Sequence, residues 1–181
     1  YGLLVLAKTK NPGLKKLIEK INNKSTNYDS EYLGWRIVPR LNAAGRINHA
    51  SAAFYLLTAK ADKEIDKWVN MLEDNNKYRQ QLTAKILAEA ELQVSQLDES
   101  QKAIIIIGSN WPAGVLGLVA GRLCDKYHKP TLIFSQDNDK YVASGRSIEE
   151  FDITEALKAC DEYLLKYGGH PQACGLTIIG E

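Results

Sequence analysis

The chain has 181 residues, of which 45% are hydrophobic and 25% charged, and its three cysteines form no CxxC pair. These values are typical of one globular domain or two small ones, and the scattered cysteines argue against a disulfide framework. The net charge of +1 gives no whole-chain argument for a nucleic-acid partner, and no apolar run is long enough to cross a membrane.

The first 60 residues are predicted to be helical. Asn11-Pro12 is a helix-start pattern, and apolar residues follow it at helical spacing up to Ile21. A further helix around Trp35 is expected to end before Pro39, because a residue that precedes proline disfavours the helical conformation.

A long helix is predicted over about Asp62 to Leu97, because apolar residues recur there at steps of three and four. Asn75, Asn76 and Arg79 interrupt the apolar stripe. Such a gap is typical of a helix that leaves one core before it enters another, so this helix is expected to connect two domains.

The second half alternates between strand and helix patterns. Ala103–Ile107 is a continuous β-branched run, which predicts a strand covered on both faces. The other predicted elements are a helix over Val115–Tyr127, strands over Pro130–Phe134 and Lys140–Ser144, a helix over Ile153–Cys160 and a strand over Leu176–Ile179. This order predicts a small α/β domain.

The segment Pro39–Arg46 combines arginines with small residues, and no acidic residue occurs between Glu31 and Asp62. Small residues let a backbone approach a ligand closely, and arginine makes bidentate hydrogen bonds to phosphate oxygens. The same pattern is compatible with a capped turn that carries solvated arginines.

The segment Asn110–Gly117 lies between the first predicted strand and the next helix. Its glycines and proline would leave backbone N–H groups free at a helix N-terminus, which is a common anion site. The alternative is a tight turn in which Trp111 belongs to the core.

Two further segments carry residue types that bind phosphate. Ser144–Ser147 places two hydroxyls and one guanidinium around a glycine at a strand end. Gly168–His170 is predicted to be a glycine turn whose N–H groups can point at one anion. If the two segments lie on adjacent strands, they form one pocket for a terminal phosphate. Alternatively, Arg146 pairs with Glu149 or Glu150 and the glycines only turn the chain.

Together, PRLNAAGR, the long helix with Asn76-x-x-Arg79, NWPAGVLGLVAGRL, SGRS and GGHPQACG occur in the order and approximate spacing of RecJ exonucleases. The chain therefore resembles the C-terminal part of this family, which belongs to the DHH phosphoesterase superfamily. The resemblance covers nearly the whole chain.

The resemblance implies an α/β fold in three parts. Residues 1–60 would be the helical remnant of a DHH domain, residues 61–98 the connector helix, and residues 99–181 a DHH-associated, substrate-binding domain with a mixed sheet. The family's metal-binding motifs would precede the first residue, and a helix expected after the last strand is missing. The chain is thus interpreted as a fragment that holds nucleic acid, contains no metal ligands and is inactive alone.

The resemblance also implies the activity of the full-length parent, a cytoplasmic enzyme of DNA repair and recombination. It would degrade single-stranded DNA from a 5′ phosphate with Mn²⁺ or Mg²⁺, with single-strand-binding protein as a candidate partner and no membrane. The residues implied to bind nucleic acid or phosphate are Arg40, Asn42, Arg46, Asn76, Arg79, Ser144, Gly145, Arg146, Ser147, Gly168, Gly169 and His170. For Asn76 and Arg79, an internal bond from helix to loop is an equal alternative.

Two other functions remain open at this point. One is a DHH-family enzyme that cleaves oligoribonucleotides or cyclic dinucleotides, which shares the glycine-rich turn. The other is a non-catalytic binding module or replication scaffold on the same fold. PRLNAAGR and the long helix favour the exonuclease over the first of these.

Overall fold

A computed structural model of the chain describes residues 2–21, 28–47, 49–98 and 100–180. The chain forms two compact units, Tyr1–Gln80 and Gln81–Glu181. The predicted long helix is present as α6, and it spans Asp62–Val94 rather than continuing to Leu97.

Within its described residues, the first unit contains helices and no strand. Besides the first part of α6, its helices are α1 (Gly2–Ala7), α2 (Pro12–Ile21), α3 (Ser30–Tyr32), α4 (Val38–Ile47) and α5 (Ser51–Thr58). Their apolar faces meet in a core that contains Leu17, Ile37, Leu56, Val69 and Leu72. The core residues of α6 are three or four positions apart, so they lie on one face of the helix.

The prediction that a helix ends before Pro39 is wrong. Helix α3 continues into α4 through a π-helical turn, Leu33–Ile37. Proline has no N–H to donate, and its ring clashes with the carbonyl four residues earlier. In the π turn the Val38 N–H bonds to the Leu33 carbonyl, five residues back. This wider turn accommodates Pro39, so that PRLNAAGR lies on a helix rather than in a turn.

The second unit is an α/β domain, which confirms the predicted fold class. Its strands are β1 (Ile104–Ser109), β2 (Thr131–Asp137), β3 (Lys140–Arg146), β4 (Lys166–His170) and β5 (Ala173–Ile179), and its helices are the rest of α6, α7 (Ala113–Tyr127) and α8 (Ile153–Lys158). The sheet order is β1-β2-β3-β5-β4. Only the β1–β2 pairing is parallel, so the sheet is mixed, as expected.

Strand β1 is covered on one face rather than two, which corrects the prediction for Ala103–Ile107. Ile104 and Ile106 are buried, whereas Ile105 is 53% exposed and Ile107 49% exposed. Helix α7 packs on β2 and β3, while α8 packs on β4 and β5 at the opposite end of the sheet from β1. The apolar run of β1 thus reflects strand propensity as much as burial.

The predicted turn at Gly168–His170 is also wrong, because these residues belong to strand β4, and the turn follows at Pro171 and Gln172. Gly169 lies so close to β5 that an added Cβ would be 2.7 Å from the Cys174 Cα. A glycine inside a strand often marks such a close approach of two backbones.

Candidate nucleic-acid interface

The predicted phosphate segments lie in register across three strands of the second unit. Strand β5 stands between β3 and β4, so the prediction of adjacent strands is wrong. The pairing across the three strands is Ser144–Gly175–Gly168, Gly145–Cys174–Gly169 and Arg146–Ala173–His170. Residues paired directly across antiparallel strands share a face, as do residues two apart on one strand. One surface, here called the glycine face, therefore carries Ser144, Arg146, Gly168, His170 and Gly175.

The glycines of this region differ in what surrounds them. An added Cβ would have nothing within 4 Å at Gly168, and at Gly175 only the Ala143 carbonyl oxygen, at 3.8 Å. On the opposite face, a Cβ at Gly145 would be 2.8 Å from the Leu132 side chain. Packing therefore requires Gly145 and Gly169, whereas Gly168 and Gly175 leave open space above the sheet.

A groove of about 350 Å³ occupies this part of the sheet. Its lining residues are Val142, Ala143, Ser144, Lys166, Tyr167, Gly175, Leu176 and Thr177. Of these, the sequence interpretation identified only Ser144 as a site residue. Lys166 and Thr177 become recognisable once the register of β4 and β5 is known, because both lie two residues along from a glycine of the glycine face.

Arg146 carries a positive charge that no carboxylate neutralises within the described residues. Its Nη1 donates to the Gly145 carbonyl at 2.7 Å, and a carbonyl leaves the charge unbalanced. The alternative that Arg146 pairs with Glu149 or Glu150 is not observed; Glu150 lies 3.9 Å from His128 instead.

The hydroxyls of the SGRS segment have different partners. Ser147 donates its hydroxyl to the Phe151 carbonyl at 2.7 Å, and its N–H donates to the Gln172 carbonyl at 3.0 Å. Ser147 therefore stabilises the loop after β3 in this structure. Neither the Ser144 hydroxyl nor the His170 ring forms a hydrogen bond with any described residue, and His170 is exposed. Both are available to a ligand.

In the first unit, Arg40 is held by a carboxylate. Its Nε donates to Glu73 Oε2 at 2.6 Å and its Nη2 to Oε1 at 3.3 Å, while Nη1 donates to the Arg36 carbonyl at 2.7 Å. Both side chains of the ion pair are only 15% exposed. The pair joins α4 to α6 and balances the charge of Arg40.

The other residues of PRLNAAGR divide between core and surface. Ala43 and Ala44 are fully buried, which lets α4 pack closely. Asn42 and Arg46 are exposed and lie four residues apart, on the same face of α4. Of the three polar residues predicted to bind phosphate here, these two present their side chains at the surface.

The two asparagines of the polar gap in α6 are buried, and Arg79 is partly buried. Asn76 is 1% exposed, and its Oδ1 accepts a hydrogen bond from Arg79 Nη2 at 3.0 Å. Asn75 is buried as well. This hydrogen bond joins two residues of α6 and satisfies a buried amide oxygen.

In the turn before α7, Trp111 belongs to the core, as one of the two interpretations of this segment predicts. Trp111 is buried against Gly108, where an added Cβ would overlap the indole ring, and Trp111 Nε1 donates to Glu89 at 3.0 Å. Trp111 thus contacts both α6, through Glu89, and β1, through Gly108.

Neither a metal cluster nor a membrane span occurs in the described ranges. Residues 2–21, 28–47, 49–98 and 100–180 contain no group of three or more His, Cys, Asp or Glu side chains placed to hold a metal ion. In the same ranges, no helix has both the length and the apolar character needed to span a membrane.

Comparison with known proteins gives a consistent set of relatives. The chain is 36% identical to the single-stranded-DNA-specific exonuclease RecJ of Bacillus subtilis, over 99% of this chain and 23% of the relative. It is 31% identical to the RecJ of Escherichia coli, over 92% of this chain and 30% of the relative. The chain thus spans about a quarter to a third of the length of these proteins.

A crystal structure of RecJ from Thermus thermophilus in complex with Mg²⁺ matches with a TM-score of 0.86 and 30% identity, over 98% of this chain and 27% of that one. A structure of exonuclease RecJ bound to manganese matches with a TM-score of 0.82 and 29% identity, over 98% and 43%. The model of the DHHA1 domain matches residues 81–181. Since this match covers more than half of the sequence, the chain belongs to the DHHA1 domain family.

Proposed function

We propose that the chain holds single-stranded DNA for a RecJ-type 5′-to-3′ exonuclease and that the glycine face binds the 5′-terminal phosphate. The relatives named above favour this activity over other DHH-family enzymes. The observation that carries the proposal is the Arg146 guanidinium, which has no carboxylate partner among the described residues and shares a face with the free hydroxyl of Ser144.

The chemistry of the glycine face suits a terminal phosphate better than an internal one. A terminal phosphate carries about −1.5 to −2 charges near pH 7, whereas a phosphodiester carries about one. Arg146 supplies the charge, Ser144 and His170 supply side-chain donors, and Gly168 allows close approach. Lys166, which lines the groove, would add a second positive charge for an internal phosphate of the strand.

The first unit would contribute further phosphate contacts. Asn42 and Arg46 lie on one exposed helix face and are the stronger candidates. Arg40 has only two N–H groups beyond its bonds to Glu73 and Arg36, so its predicted phosphate contact is expected to be weaker. Asn76 and Arg79, which are bonded to each other, are expected to act by supporting α6.

Hydrolysis in the whole protein would use Mn²⁺ or Mg²⁺, the ions held by the similar crystal structures. We do not assign metal ligands to the residues described here, and we expect the chain alone not to cleave DNA. The resemblance to RecJ exonucleases predicts that the whole protein acts in the cytoplasm and associates with single-strand-binding protein.

The test is fluorescence anisotropy with two oligonucleotides of one sequence, carrying a 5′ phosphate or a 5′ hydroxyl. It is performed at low salt with EDTA, because salt screens phosphate contacts. We expect the chain to prefer the phosphorylated end, and Arg146→Ala to weaken binding of that end about tenfold or more, since hydrogen bonds to charged groups contribute roughly 1.5–3 kcal/mol.

The matched control is Arg122→Ala, which removes the same charge from an exposed position of α7. This control should leave the preference for the phosphorylated end intact. Equal affinity for the two ends, or an equal loss in both variants, would contradict the proposal.

A further inference from the structure

The Arg146 side chain runs along helix α7. An added Cβ at Gly121 would be 3.9 Å from Arg146 Cγ, which is an ordinary van der Waals contact. One turn earlier, an added Cβ at Gly117 would be 3.0 Å from Nη2 and 3.5 Å from Cζ and Nη1. The guanidinium therefore lies directly against Gly117, in space that a side chain there would take.

Glycine at position 117 has a cost for the helix, because glycine is less favourable than alanine in a helix interior. The packing of α7 on the sheet uses other residues of the helix, all buried: Val115, Leu116, Val119, Ala120, Leu123 and Cys124. The three atoms nearest to an added Cβ at Gly117 all belong to the Arg146 guanidinium. The closest constraint on residue 117 is thus the arginine and not the helix–sheet contact.

We infer that Gly117 is a positioning residue for Arg146, keeping clear the space in which the guanidinium lies at the glycine face. The bond from Nη1 to the Gly145 carbonyl holds the guanidinium from one side, and the bare backbone of Gly117 admits it from the other. A methyl group at residue 117 would push Nη2 away by a few tenths of an ångström. The shift would move Nη2 out of the position that the bond to the Gly145 carbonyl and the Gly117 backbone together define. A binding group whose supporting contacts change holds its ligand less well, so we expect weaker phosphate recognition. The inference rests on the proposed function of Arg146.

The experiment compares Gly117→Ala with Gly121→Ala, both on α7. Both replacements favour the helix, so both melting temperatures should stay the same or rise. Only Gly117→Ala should reduce the preference for a 5′ phosphate over a 5′ hydroxyl, by about three- to tenfold, because it weakens a charge-assisted contact without removing it. In an Arg146→Ala background, Gly117→Ala should have no further effect on the preference.

A second measurement needs no DNA. The NMR signal of the Arg146 Nε–H group, assigned by its loss in Arg146→Lys, should shift in Gly117→Ala and stay in place in Gly121→Ala. An unchanged signal and preference in Gly117→Ala, while Arg146→Ala abolishes the preference, would overturn the positioning role alone. If Arg146→Ala itself leaves the preference unchanged, the proposed function fails, and the role of Gly117 fails with it.

Discussion

Arg40 in the first unit and Arg146 in the second stand in similar surroundings in the sequence, among small residues and close to a second arginine or a serine. In the structure they have different partners. Arg40 is bound at two points by the Glu73 carboxylate, in a pair that is mostly buried. Arg146 donates to a neutral carbonyl and lies against a glycine.

The difference shows that the residue type alone does not decide whether an arginine can bind phosphate. The partner that the fold places beside the arginine decides it. A buried arginine with a carboxylate partner stabilises the protein and has little net charge to offer a ligand. An arginine with only a carbonyl partner keeps its charge for an anion. The two neighbouring glycines differ in a comparable way. Gly169 is required by the close approach of β5, whereas Gly168 faces open space that a ligand could occupy.

The largest effect is expected from Gly169→Ala. The added Cβ would overlap the backbone of β5, so we expect the free energy of unfolding to fall by about 3 kcal/mol. Gly168→Ala is the matched control, and it should change this free energy by no more than about 0.5 kcal/mol. Urea unfolding followed by circular dichroism measures both. Equal losses would show that the two glycines are not distinguished by packing.

The next effect is expected from Glu73→Ala, which leaves the Arg40 charge unpaired in a mostly buried position. Breaking a buried pair costs about 3–5 kcal/mol, so for this slightly exposed pair we expect a loss of about 2–3 kcal/mol in the same assay. The control is Asp66→Ala, since the pair of Asp66 with Lys16 is about half exposed and should contribute much less. A Glu73→Ala chain as stable as the Asp66→Ala chain would remove the structural role of Arg40.

The smallest effect concerns the salt dependence of binding. Each phosphate neutralised on a single strand contributes about 0.7 to the slope of log K against log salt. Arg146→Ala should lower the slope by about that amount, and Arg40→Ala by clearly less, because Glu73 already balances its charge. Titrations with the phosphorylated oligonucleotide measure both, with circular dichroism to confirm folding. If Arg40→Ala lowered the slope more than Arg146→Ala, Arg40 would be the arginine that offers more charge to DNA, contrary to the prediction.

Much of the fold could be predicted from local pattern. The helical first half, the long α6 and the change of period before β1 all follow from the spacing of apolar residues. The errors occurred where a non-local contact overrides a local preference. The π turn admits Pro39 into a helix, and the approach of β5 draws Gly168–His170 into a strand.

The kinds of side chain in the candidate site could be predicted from the sequence, but not the full list of residues that belong to it. Ser144, Arg146 and His170 were identified from their chemistry, and the structure places them on one face. Lys166 lies just before the glycine pair in the sequence, but only the register of β4 shows that it belongs to the same face as Gly168. Ser147 has the same hydroxyl as Ser144, yet its bond to the Phe151 carbonyl becomes visible only when the loop after β3 is placed.

The sequence by itself determined the α/β class of the second unit and the long helix, and it supplied most of the candidate phosphate-binding groups, because these depend on residue type and on contacts within a few turns or strands. The tertiary structure decided which groups remain available. Glu73 lies 33 residues from Arg40, and Gly117 lies far along the chain from the arginine it faces. Only folding brings such residues together, and the charge and space left over after these contacts are what a ligand can use.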